Sequence, residues 1–229
     1  MKYFGEKAGE LHKELKSIIK KPAEFGRARQ LFLNLHAMLH TSIVSGGEYG
    51  ETDCLLSDLA ESDFYTIPSA KDETIAWQLW HIARIEDLTM NFLVARREQV
   101  FDSEWQRRLN VTVTDTGNAM GDEEIYDFSR RINGAELIEY RNAVGMRTRE
   151  IVTALAASDM KRKVNAEDCR KIYDAGGVTD NPDSVWLLDF WGGKDVAGLL
   201  LMPATRHSIL HLNNCCKVKE NMRKKTLGR

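Results

Sequence analysis

Apolar residues recur along this chain at helical spacing, and strand-like alternation is scarce. Four segments sustain the period of an amphipathic helix with one buried stripe. The first spans about 23–44 and lines up Phe32, His36, Leu39, His40 and Ile43; Gly46-Gly47 then supplies a stop signal. The second spans about 72–97, with Trp77, His81, Ile85, Leu88 and Phe92 inward and Gln78 and Arg84 flanking them. The third spans about 134–157, with Leu137, Tyr140, Val144, Ile151 and Leu155 inward and Gly145 weakening it slightly. The fourth spans about 195–222 and places Leu200, Ala204, His207, His211, Asn214 and Cys215 on one face. Pro203 either kinks that helix or marks where a short helix meets a second one.

The connections are long for a helical bundle. They predict a short helix near 55–60, two short helices between 101 and 132 around a turn at Thr116-Gly117-Asn118, and another near 167–173. Gly176-Gly177 then leads to the aromatic run Val185 to Trp191, whose Trp186, Phe190 and Trp191 either wall a pocket or pack in the core. No internal repeat or linker interrupts the pattern. The expected fold is all-α: a four-helix bundle with long embellished loops and short extra helices, forming one domain over residues 1–229.

Composition narrows the function. With 43% hydrophobic residues the chain has material for a core, and its 29% charged residues nearly cancel to a net charge of −2. That balance lacks the basic excess of a general nucleic-acid binder. No stretch reaches the roughly 18 apolar residues of a membrane span, and the N-terminal residues carry no apolar signal core. A cytoplasmic location is expected, with the four cysteines reduced.

The candidate chemistry lies in the histidines. Five of the six fall on the predicted helices. His207 and His211 are four apart and project from one face of one helix, which lets two imidazoles hold one ion. His81 lies on the inward stripe of another helix. A neutral imidazole is the commonest protein ligand for zinc and also suits nickel, copper and iron, and three of them leave coordination positions open. Glu-x-x-His and His-Glu-x-x-His are both absent, which excludes the di-iron carboxylate and zincin patterns. His36 and His40 repeat the four-residue spacing. Three roles are open to them: further ligands, acid–base groups lining the pocket, or core histidines bonded to loops. As acid–base groups they are the candidate catalytic pair. His12 reads as a surface residue, Cys215 as either a thiol a turn below the site, able to approach a metal or react with a thiol, or a buried inert one, and Arg84 as either an anion anchor or a snorkelling or ion-paired helix residue.

The segments Ile75 to Asp87 and Arg206 to Asn214, an inward histidine followed by His-x-x-x-His on the last helix, resemble the DinB/YfiT-like superfamily of metal-dependent enzymes. The resemblance extends from about residue 24 onward. It implies a divalent ion, nickel or zinc first and iron also compatible, held by His81, His207 and His211. It also implies a homodimer and a small-molecule substrate, with a low-molecular-weight thiol such as bacillithiol or mycothiol among the candidates. Thiol S-transferase and metal-dependent hydrolase both fit. A non-catalytic metal-binding or stress-associated bundle is the alternative. This chain departs from the family pattern in its longer loops and in the extra pair His36 and His40.

Overall fold

The computed structural model describes residues 4–69 and 73–226. It is all-α, and the described residues form no strand, only an isolated bridge between Lys163 and Asp195.

The core is a closed ring built from the four periodic segments. Helix α1 (Glu6–Ile18) precedes them, ahead of the first segment that the helical period predicts. Helix α2 (Phe25–Leu39) is the first ring member, followed by the short α3 (Ser42–Ser45) and α4 (Glu51–Leu56). Helix α5 (Ile75–Leu88) runs on as a π-wound turn, Thr89–Ala95, that ends at left-handed Arg96. Helices α6 (Ser103–Leu109) and α7 (Asp122–Arg131) lead to α8 (Gly134–Ala154). Helices α9 (Ala166–Asp174), α10 (Pro182–Gly192) and α11 (Val196–Leu201) follow, and a π-wound segment, Met202–His207, joins α11 to α12 (Ser208–Thr226). Helix α5 packs on α8 and α12, and α2 packs on the same two, so α2 and α5 face each other diagonally.

The first segment does not run unbroken to residue 44. Helix α2 stops at Leu39, and His40 takes an extended backbone. Tertiary partners make that stop favourable by taking the carbonyls a helix end leaves bare. The Arg141 guanidinium donates to the Leu39 carbonyl, and the Thr52 hydroxyl donates to that of Met38. Beyond the break the chain changes direction, so Ile43, expected inward, is 63% exposed.

Helix α5 starts at Ile75 with Thr74 as its cap, its hydroxyl accepting from the Trp77 amide; the predicted start near Asp72 lies outside the described residues. Every residue from Ile75 to Val94 is buried, well beyond one stripe. The long connections cause this by wrapping the helix. Four successive carbonyls of the 114–117 stretch each take a donor from α5: Arg84 to Thr114, Trp80 to Asp115, His81 to Thr116 and Trp77 to Gly117. On the next face the Asp87 carboxylate accepts from the Val100 and Phe101 amides, the Asn91 amide and the Tyr140 hydroxyl.

Pro203 divides the last segment. The carbonyls of Leu200 and Leu201 are met by the Thr205 hydroxyl and by His12 Nε2, both at 2.8 Å. His12 is therefore half-buried and bonded to the bundle, not a free surface group. Helix α10 buries Leu187 and Trp191 but leaves Trp186 47% and Phe190 36% exposed, so only part of the aromatic run is core. Among the described residues no helix is long and apolar enough to cross a membrane.

Candidate metal centre

His81 comes from the middle of α5, His207 from the last π-wound position before α12, and His211 from one turn into α12. Because α5 and α12 are neighbours in the ring, the three rings converge. Their centroids are 4.5–5.0 Å apart, and one nitrogen from each lies within 4.8 Å of the others. His81 is 3% exposed and lies under Trp77, whose ring stacks on it at 4.8 Å. His207 and His211 are half-buried, so the cluster is approached from the α12 side.

Hydrogen bonds fix which nitrogen is free on two of the rings. His81 Nδ1 faces the Thr116 carbonyl at 2.8 Å. A carbonyl only accepts, so Nδ1 carries the proton and Nε2 keeps its lone pair. Gln78 does the same for His211. Its Nε2 donates to Glu73, which turns Oε1 toward His211 Nδ1 as the acceptor. His207 Nδ1 is buried without a partner, an arrangement that costs about 1–3 kcal/mol unless something binds the ring.

The electrostatics agree. Burial lowers the His81 pKa to about 4, against the Thr116 bond that raises it. Burial, with the charge of His81 added, lowers His211 to about 3. His207 is held well below its ordinary value by burial first, then by His81 and His211. All three imidazoles are neutral at pH 7, the state in which histidine binds a metal. The donor set fits a divalent ion: three neutral rings, two with the outer nitrogen engaged by an acceptor and the inner one free.

The structure places His36 and His40 in a separate cluster. Their rings stack at 4.2 Å, and their Nε2 atoms meet the two oxygens of Glu86 at 2.9 and 3.1 Å. All three residues are buried. Burial lowers the His40 pKa to about 3, outweighing the pull of Glu86. Burial alone raises the Glu86 carboxyl, but the adjoining imidazoles outweigh it and hold the group well below the ordinary carboxylate range. Sequence pattern gave Glu86 no role. The available signal was the His36–His40 pair itself, since two inward imidazoles need a buried partner.

The remaining candidates are structural. Arg84 is ion-paired and fully occupied: its nitrogens donate to the Thr114 carbonyl, Asp87, the Tyr140 hydroxyl and Gln99. It has no hydrogen left for an anionic ligand. Cys215 is fully buried and its thiol pKa is pushed up by burial, which leaves it inert. Asn214, expected on the site face, is exposed.

An all-α protein whose core helices bring three neutral imidazoles together is a helical bundle with a histidine-rich candidate metal site. Residues 48–213 match the sequence profile of the DinB superfamily, and the chain belongs to that superfamily. No curated protein matches it. The matched stretch contains His81, Glu86, His207 and His211, whereas His36 and His40 precede it.

Proposed function

We propose that this protein is a metal-dependent enzyme in which His81, His207 and His211 hold one divalent ion, zinc or nickel, and leave positions open for a small-molecule substrate. The observation that carries the reading is the tautomer control: Thr116 and Gln78 engage Nδ1 of His81 and His211, which leaves each Nε2 lone pair free in a cluster whose ligand atoms lie within 4.8 Å of one another. A divalent ion bound there supplies Lewis acidity that favours the anionic form of a water or thiol near neutral pH. The chain's own part is to keep three rings neutral, fix their orientation, and shield one side with Trp77. Family resemblance favours a low-molecular-weight thiol as substrate and S-transfer as the reaction, ahead of hydrolysis.

Elemental analysis of tag-free protein, parent against His207→Ala, tests the metal site. The variant is expected to carry one ion per chain fewer. An unchanged metal content in a folded variant refutes the assignment. Turnover of a thiol-plus-electrophile panel and an ester panel by the metal-loaded parent then separates transferase from hydrolase. Loaded protein without any turnover supports the non-catalytic alternative.

A further inference from the structure

We propose that His36, His40 and Glu86 form a second metal site, which takes one divalent first-row ion such as zinc and ties α2 to α5 across the diagonal of the bundle. Two imidazoles with one carboxylate is a donor set that zinc accepts. The three groups come from helices that are not neighbours in the ring, yet their ligand atoms lie within 4.8 Å of one another. Each imidazole Nε2 addresses a different carboxylate oxygen, at 2.9 and 3.1 Å. Ligands around a four-coordinate ion with bonds of about 2.0–2.1 Å sit roughly 3.3 Å apart. Both nitrogen–oxygen contacts are therefore within a few tenths of an ångström of coordination-shell spacing.

Unpaired atoms show that the hydrogen-bonded cluster is not self-sufficient. In the hydrogen-bonded form both Nε2 atoms carry the protons given to Glu86, and both Nδ1 atoms are buried acceptors with no partner. With Nε2 on the ion, each proton sits on Nδ1 instead, and the ring becomes a donor. Thr148, on α8, also has a buried, unpartnered hydroxyl. It lies three residues from Gly145, whose missing side chain is what lets α8 approach the His40 ring. The site has one opposing charge. Arg141 is buried nearby, fastened to the Leu39 carbonyl, and its cation weakens the hold on a divalent ion. The two imidazole nitrogens favour zinc-like ions over magnesium or calcium, which take oxygen ligands. The inference stands independently of the His81 centre.

The test is zinc stoichiometry in full-length, tag-free protein from zinc-supplemented cultures, dialysed against metal-free buffer, with circular dichroism confirming the fold. The parent is expected to hold two ions per chain. Glu86→Gln should hold one, and a His81→Ala, His207→Ala, His211→Ala triple variant should also hold one. Adding Glu86→Gln to the triple variant should remove the last. Where Glu86→Gln does not fold, His36→Gln reads the same loss. A parent that holds no zinc overturns the proposal. So does a folded Glu86→Gln or His36→Gln variant with the parent's zinc content, or a triple variant with none. The triple variant keeps this result distinct from failure of the His81 centre.

Discussion

Gly145→Ala sets two physical expectations against each other. Gly145 is inside α8, and a glycine in a helix interior costs about 1 kcal/mol relative to alanine. On helix propensity alone the substitution stabilises. The structure reverses the sign. A Cβ at residue 145 falls 2.5 Å from His40 Nδ1, 2.8 Å from its Cε1 and 2.9 Å from Val44 Cγ1. Neither neighbour gives way easily: the His40 ring is stacked on His36 and bonded to Glu86, and Val44 is 7% exposed. Overpacking of this kind costs about 1–3 kcal/mol, and the loss of two buried histidine contacts places it toward the upper end. After the gain in propensity, the net expectation is a loss of about 1–2 kcal/mol. Urea denaturation reads it as a lower midpoint at unchanged slope, and calorimetry as a fall in Tm of about 2–8 °C for a domain of this size. In a His40→Ala background the penalty should shrink to what Val44 imposes, because the clashing ring is gone. A Gly145→Ala protein as stable as the parent would refute the close approach of α8 to His40.

Other outcomes follow from the same geometry. Gln78→Leu removes the acceptor that orients His211, and loss of such a partner weakens metal binding by about 10–100-fold; competition with a chromophoric chelator measures it, and unchanged affinity argues against the tautomer control. For metal-free protein the pH dependence has a definite sign. His81 near 4 and His211 near 3 lie below the unfolded histidine value of 6.5, so between those limits the unfolded state binds protons that the native state refuses. The contribution of these two rings should be at its full value above pH 6.5, fall as pH drops toward 4, and level off below their folded pKa values. Thermal melts across that range check it, and a flat profile contradicts the burial of these rings.

Much of this molecule was legible in the amino-acid sequence. Helical period, scarce alternation and few prolines specify an all-α chain, because burying one stripe per helix is a local requirement that each segment states for itself. His81, His207 and His211 were readable as candidates on the same ground, since inward position and i, i+4 spacing are local properties. Gly145 shows where local reading stops: in sequence it is a weak point of a helix, in three dimensions it is the space that admits His40. The break at His40 was equally hidden, because the groups that end α2 there, Arg141 and Thr52, are distant in the chain. Glu86 had no local mark, and its partners on α2 lie 46 and 50 residues away. Arg84 could be read two ways until the 114–117 carbonyls, Asp87, Tyr140 and Gln99 were seen to occupy it. Sequence by itself determined most of the residues that face inward, Ile43 and Asn214 excepted. Only the tertiary structure decided which of them meet, because the connections that wrap α5 and the ring that pairs α2 with α5 bring together side chains no local period relates.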